Sequence, residues 1–118
     1  MAGTRGTYYG GDFVLLFKKR FLPAIRSGEK TQTIRLWKYC RMRAGQRSYI
    51  PGVGYIRVTS IDEVRLEALT DEDARPDGFA SAVELRGEIA RLYPEVQSSG
   101  YKAYRILFHL LPGEEKKG

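Results

Sequence analysis

Short blocks of apolar residues, separated by turn-forming residues, predict five strands along the chain. Residues 12–17 form an almost continuous apolar run, which is typical of a buried strand. Alternate residues of the last block would share an inner face, since side chains alternate along a strand; they are Tyr104, Ile106, Phe108 and Leu110. The five predicted strands are 12–17, 31–36, 46–50, 55–64 and 104–110.

Three other segments have helical spacing and helix-capping residues. Residues 18–27 predict a helix that ends at Gly28, where a left-handed cap is favoured. Thr70, followed by three acidic residues, predicts a short helix ending by Pro76, and Ser81 predicts the start of a helix reaching about Tyr93. Because helices do not alternate with strands, we expect an α+β fold rather than a doubly wound sheet. The expected architecture is a small, mixed, curled sheet or β-barrel of about five strands flanked by helices.

The length of 118 residues fits one domain. We predict that this domain spans residues 12–111. The opening residues 1–11, rich in glycine, threonine and tyrosine, read as a flexible N-terminal arm, and residues 112–118 as a disordered tail.

The composition argues against several classes of protein. No apolar run approaches the roughly 18 residues that a membrane span needs, and no apolar segment of a signal peptide follows the first residues. Cys40 is the only cysteine, so an internal disulfide is excluded, and His109 is the only histidine, which disfavours a zinc site. We therefore expect a cytoplasmic protein with no membrane association, no metal and no cofactor. The oligomeric state stays open.

The charge of the chain is unevenly distributed. Residues 1–60 contain twelve Lys and Arg against two acidic residues, a balance of +10, whereas residues 61–118 have a balance of −4. A basic half in a small domain favours a basic face that suits phosphates or a nucleic acid. The alternative is that these charges are solvated and only keep the protein in solution.

The segment 28–35 carries the densest group of polar side chains at a predicted turn and strand. On a regular strand, Thr31, Thr33 and Arg35 would share one polar face. Lys30 lies three residues before Thr33 and would point to the opposite face of an ideal strand, so the two can act together only if Lys30 belongs to the turn. Such groups need partners or a ligand, because a buried unpaired donor costs roughly 1–3 kcal/mol. The segment is therefore a candidate site.

The following loop interleaves aromatic residues with cations. Arg35, Lys38, Arg41 and Arg43 could contact phosphates, and Trp37 could stack on a base. The alternative is that Trp37 closes the end of the core and the arginines are solvated. Together with Lys30 and Thr31, these residues are the predicted nucleic-acid contacts.

Several of these motifs together resemble the ASCH family. The resemblance rests on the string Gly28-Glu29-Lys30-Thr31-Gln32-Thr33-Ile34-Arg35, on Leu69–Ala74 with Gly78-Phe79 after it, and on Tyr104–Phe108. It covers the chain from about Phe13 to Leu111. It implies a PUA-like fold, a small β-barrel with helices at its side, and binding of RNA or a modified base.

One branch of that family, the N4-acetylcytidine amidohydrolases, is similar to this chain in the same segments. The resemblance implies catalytic roles for Lys30, Thr33 and Asp77. Asp77 stands where the branch has a glutamate, and Gln46 stands where the family has an aspartate. A threonine nucleophile needs a nearby base, and a lysine can serve if its pKa is depressed. The alternative is that Lys30 caps the preceding helix, Thr33 only favours a strand and Asp77 is a turn residue.

Three functions follow as hypotheses. The first is binding of RNA or a modified nucleoside in a basic cleft beside residues 30–35. The second is hydrolysis of N4-acetylcytidine to cytidine and acetate, and the third is a protein-interaction module.

Overall fold

In the part of the chain that the structure describes, six strands form one mixed sheet that curls into a half-barrel. The computed structural model describes residues 8–9, 12–93 and 100–112. Within them the sheet order is β1-β2-β4-β5-β6-β3. The strands are β1 (Tyr8–Tyr9), β2 (Asp12–Val14), β3 (Gln32–Trp37), β4 (Arg47–Ile50), β5 (Gly54–Val64) and β6 (Lys102–Leu110).

The long strand β5 organises the sheet, because it pairs antiparallel with both β4 and β6. Its register with β6 shifts between Val58 and Ser60, and the Thr59 hydroxyl donates to the carbonyl of Leu107 at 3.1 Å. Such a bulge bends a strand and increases its twist, which lets the sheet curl. β2 and β4 run parallel, and β3 pairs antiparallel with β6 at the end of the sheet.

Three α-helices accompany the sheet in the described ranges: α1 (Leu22–Ser27), α2 (Asp71–Ala74) and α3 (Ala82–Leu92). The helix predicted over 18–27 is a 3₁₀ turn at Lys19–Phe21 followed by α1, with Pro23 in the first turn of α1, where its missing N–H costs no hydrogen bond. The predicted caps are confirmed, since the side chains of Thr70 and Ser81 accept hydrogen bonds from the third helical amide. No helix in the described part of the chain is long and apolar enough to cross a membrane.

Two apolar clusters pack on opposite faces of the sheet. β6 contributes to both, because Ile106 and Ala103 point to opposite sides. The first cluster comprises Leu15, Ile25, Met42, Ile50, Ile56, Val58, Ile106 and Phe108. The second lies against α2 and α3 and comprises Ile34, Leu36, Leu69, Ala74, Leu85, Ile89 and Ala103. The predicted α+β fold with a curled sheet and flanking helices is confirmed.

The first predicted strand is shorter than its apolar pattern suggested. β2 ends at Val14, and the Leu15 amide donates one further bond to the Tyr49 carbonyl at 2.9 Å. The chain then leaves the sheet, so that 16–18 pass along the candidate site. Of the predicted arm, Tyr8–Tyr9 pair with β2, while the other residues before Asp12 lie outside the described residues. So does the predicted tail after residue 112.

Candidate functional site

A cleft of about 330 Å³ runs along the outer edge of β3. Residues from both faces of this last strand line it, together with the segment that follows β2, the turn after α2, and one side of α3. Its polar lining is Lys18, Lys30, Thr33, Arg35, Asp77 and Glu88, and its aromatic lining is Phe17, Phe21, Phe79 and Tyr93. A cavity of this size, mostly apolar with a few polar groups, is typical of a small-ligand site.

A turn before β3 brings Lys30 to the same cleft as Thr33. Gly28 ends α1 with φ +88°, a conformation that glycine adopts without strain. The Lys30 amide donates to the Ala24 carbonyl at 3.0 Å, and the Thr31 amide donates to the Pro76 carbonyl at 2.8 Å. Because the strand begins only at Gln32, strand alternation does not apply to Lys30. This is the arrangement that the sequence required for the pair to act together.

Lys30 and Asp77 form a buried ion pair at the floor of the cleft. Lys30 is 2% exposed, and its Nζ donates to Oδ1 of Asp77 at 2.7 Å, to the Gln32 carbonyl at 3.0 Å and to the Asp77 carbonyl. Nε2 of Gln32 donates to Oδ2 of Asp77 at 3.0 Å and to the Asp73 carbonyl at 2.9 Å. Gly78, at φ +97°, turns the chain directly after Asp77. Both carboxylate oxygens of Asp77 are therefore held in place.

The surroundings of Lys30 disfavour its charged form. Burial lowers the pKa of Lys30 from its ordinary 10.5, Asp77 opposes this, and nearby arginines add to the lowering. Three aromatic rings lie near the ammonium, with their centroids 4.9 to 5.9 Å from Nζ; they are Phe17, Phe21 and Phe79. Their cation–π attraction favours the charged form, so burial is the main cause of the lowered pKa. A lysine in such a setting gives up its proton more readily than a solvated one.

Thr33 and Arg35 interact with each other in the same cleft, as expected for residues on one face of a strand. Thr33 is 5% exposed, and its Oγ1 accepts a hydrogen bond from Nε of Arg35 at 3.0 Å. Nη2 of Arg35 donates to the Leu16 carbonyl at 2.7 Å, and the guanidinium lies 4.8 Å from the Phe17 ring centroid. Burial lowers the pKa of Arg35, but a guanidinium remains charged at neutral pH. Since Oγ1 accepts from Arg35, the Thr33 hydroxyl can donate its own proton elsewhere.

Three polar residues at the site were missed by the sequence reasoning: Lys18, Gln32 and Glu88. Gln32, which orients Asp77, follows Thr31 on the strand and gave no signal beyond its polarity. Glu88 is 4% exposed and lies between Leu85 and Ile89 on the buried face of α3. A glutamate at helical spacing among buried apolar residues was the signal that could have identified it.

The remaining predicted nucleic-acid contacts do not line the cleft. Thr31 lines a second cavity beside α1, and Trp37 is half-buried against the first apolar cluster, in line with its alternative interpretation as a core residue. Lys38 lies 5.6 Å from the ring centroid of Tyr101, and Arg41 and Arg43 belong to the loop before β4. A role of these residues in contacting nucleic acid stays a prediction.

Comparison with known proteins identifies the fold of the chain. No protein-family model matches the chain, and no curated protein matches it by sequence. Among solved structures, an ASCH domain from Lactobacillus crispatus JV V101 matches with a TM-score of 0.60 at 16% identity, over 75% of this chain and 68% of that one. The protein has the fold of an ASCH domain.

Two further solved structures match the fold of this chain. The protein EF3133 from Enterococcus faecalis V583, described as a member of DUF984, matches with a TM-score of 0.70 at 18% identity, over 91% of this chain and 84% of its own. The hypothetical protein PH0355 matches with a TM-score of 0.69 at 19% identity, over 83% and 97% of the two chains. At these identities the likeness concerns the fold.

Proposed function

We propose that the protein is an ASCH-family protein that binds a modified nucleoside, free or within RNA, in the cleft along β3. The observation that carries this proposal is the convergence of Lys30, Thr33, Arg35 and Asp77 on one small cleft with aromatic walls. The rings can hold a base by stacking, and the few fixed polar groups can select its edge. The resemblance of the segment 28–35 to the ASCH family and the ASCH fold support the same assignment.

The geometry favours a single nucleoside over a long stretch of RNA. A groove that tracks an RNA backbone needs a row of cations along its length. The cations predicted for that role in the loop before β4, Lys38, Arg41 and Arg43, lie outside the cleft lining. The cleft has room for one base and its sugar.

Calorimetric titration with N4-acetylcytidine and with cytidine tests the binding proposal. We expect the wild-type protein to bind the acetylated nucleoside, and Thr33→Val to weaken binding because it removes the hydroxyl of a residue that lines the cleft. His109→Gln is the control, since His109 is exposed and does not line the cleft. Anisotropy titration with single-stranded RNA at two salt concentrations tests binding of a nucleoside within RNA. The affinity of the protein for RNA should fall as the salt concentration rises. Absence of binding in both titrations would refute the binding proposal.

A second candidate function, N4-acetylcytidine amidohydrolase, is favoured by the lowered pKa of Lys30 in the cleft that Thr33 also lines. In this mechanism the neutral amine of Lys30 takes the proton of the Thr33 hydroxyl as Oγ1 attacks the acetyl carbonyl. The tetrahedral intermediate collapses, and the proton passes from Lys30 to the departing N4 nitrogen, which releases cytidine. Water then attacks the acetyl-threonine as Lys30 takes its proton; the bond from the acetyl carbon to Oγ1 breaks, Lys30 returns that proton to Oγ1, and the acetic acid formed leaves as acetate and a proton.

Asp77 and Arg35 would assist without forming covalent bonds. Asp77 holds Nζ of Lys30 at 2.7 Å and can relay a proton toward the leaving nitrogen. Arg35 donates to Oγ1 of Thr33 at 3.0 Å, which stabilises negative charge developing on that oxygen.

Following cytidine release from N4-acetylcytidine by chromatography separates the two candidates. An enzyme would produce cytidine, and both Thr33→Ala and Lys30→Met would abolish turnover while circular dichroism confirmed folding. Asp77→Glu, which restores the residue of the amidohydrolase branch, would retain it. Binding without release of cytidine would reject the amidohydrolase hypothesis and support nucleoside binding without catalysis. A protein-interaction module would show neither.

A further inference from the structure

Three cations converge on one buried carboxylate at the rim of the cleft. Lys18 and Arg20 precede α1, and Arg91 lies one turn after Glu88 on α3. Nζ of Lys18 lies 3.2 Å from Oε2 of Glu88, Nη2 of Arg20 lies 3.0 Å from Oε1, and Nη2 of Arg91 also contacts Oε1. We call these four residues the rim cluster.

The rim cluster has more positive charge than Glu88 neutralises. The side chains of Lys18, Arg20 and Arg91 are 46%, 56% and 65% exposed, whereas that of Glu88 is 5% exposed. An ammonium has three N–H donors and a guanidinium five, so one carboxylate occupies only a few of them. A buried carboxylate needs a partner to offset its burial, but among the described residues the three cations of the rim cluster exceed its one carboxylate by two charges.

The rim cluster is continuous with the cleft. Lys18 and Glu88 line the same cavity as Lys30 and Thr33. The guanidinium of Arg20 lies 4.5 Å from the ring centroid of Phe21, another lining residue. An anionic group bound at the rim would thus belong to a ligand whose remainder occupies the cleft. The planar fork of a guanidinium matches the oxygens of a phosphate.

We propose that the rim cluster binds the phosphate of a nucleoside monophosphate, so that the preferred ligand of the cleft is a nucleotide rather than a free nucleoside. This inference rests on the proposed nucleoside-binding function. Glu88 is a positioning residue: its carboxylate fixes the three cations at the rim, while their outward N–H groups contact the phosphate.

Calorimetric affinities for N4-acetylcytidine, for its 5′- and 3′-monophosphates and for inorganic phosphate test the inference. We expect one monophosphate to bind about tenfold more tightly than the nucleoside, the scale of one or two charge-assisted hydrogen bonds. Inorganic phosphate should bind much more weakly than that nucleotide. The double variant Arg20→Gln/Arg91→Gln should reduce the ratio of nucleotide to nucleoside affinity to about one.

The matched control is Arg65→Gln/Lys102→Gln, which removes two exposed cations that do not line the cleft and should preserve the ratio. Equal affinities for nucleoside and nucleotides in the wild-type protein would overturn the inference and leave nucleoside binding intact. A ratio that survived in the Arg20→Gln/Arg91→Gln variant would also overturn it, as would equally tight binding of inorganic phosphate. Binding of none of the nucleoside ligands would refute the proposed function itself.

Discussion

Replacing Asp77 by asparagine should lower the free energy of unfolding, because the buried ammonium of Lys30 loses its counter-charge. The substitution keeps the shape of the side chain but removes the negative charge that lies 2.7 Å from Nζ. Removing one partner of a buried ion pair typically costs about 3–5 kcal/mol, because the other charge is left uncompensated. Lys30 would keep two backbone acceptors, the carbonyls of Gln32 and residue 77. We therefore expect a loss near the lower limit, about 3 kcal/mol at neutral pH.

Urea denaturation gives the free energy of unfolding of the wild type and of Asp77→Asn. For a domain of this size about 3 kcal/mol corresponds to a fall in Tm of about 12 °C or more. The loss should shrink at alkaline pH. Asp77 raises the pKa of Lys30 against the lowering effect of burial, so its removal lowers the pKa of folded Lys30 further below 10.5. Because the unfolded chain then binds more protons than the folded one, stability rises with pH between the folded pKa and 10.5.

The control is Asp62→Asn, which removes an exposed carboxylate 3.9 Å from Arg105 and should cost less than about 1 kcal/mol. The double variant Lys30→Met/Asp77→Asn should be less destabilised than the two single changes predict together, since the stranded charge is gone. Additive effects in this cycle, or a loss for Asp77→Asn no larger than the control, would refute the buried ion pair.

The remaining predictions concern backbone strain, acid stability and the guanidinium of the cleft. Gly78→Ala should destabilise by about 1–2 kcal/mol in thermal melts, because alanine is strained at φ +97°. Gly87→Ala, in the exposed interior of α3 with nothing within 4 Å of the added Cβ, should instead stabilise by about 0.5–1 kcal/mol. The free energy of unfolding should fall with pH below about 4.5. Burial raises the pKa of Glu88, but the neighbouring cations outweigh burial and hold that pKa below the ordinary 4.5. The pKa of Asp73 lies below its ordinary 3.8, mainly because its carboxylate accepts a hydrogen bond from the Thr70 amide. The stability that the two carboxylates give is therefore lost as pH falls through their pKa values in the folded protein. Urea titrations between about pH 7 and about pH 3 check this, and a flat profile would contradict it. Arg35→Lys should weaken nucleoside binding by about 1–2 kcal/mol, because one ammonium cannot make both guanidinium bonds. If affinity and turnover were unchanged while Tm fell, Arg35 would be a structural residue, and the ligand site would have to lie elsewhere than in this cleft.

The local elements followed from the sequence because their causes are local. Thr70 and Ser81 cap their helices through bonds to amides three residues on, and Gly28 ends α1 in the left-handed conformation. Alternation on β6 identified Ile106 and Phe108 as core residues. The placement of Lys30 in the turn was also a local inference, since strand geometry allowed no other way to bring it beside Thr33.

The partners of the site were decided by tertiary structure. Asp77 meets Lys30 across 47 positions of sequence, and Glu88 of α3 meets Lys18 at the rim of the cleft. Only the resemblance to a family pointed to Asp77, and nothing in the local pattern pointed to Gln32 as its second partner. Lys38, Arg41 and Arg43 were expected to act together with Arg35, but they do not belong to the cleft lining. Sequence periodicity determines which face of a helix or strand a side chain occupies. The groups that the side chain then contacts depend on how distant elements pack, and that packing is the sum of many weak contacts over the whole chain.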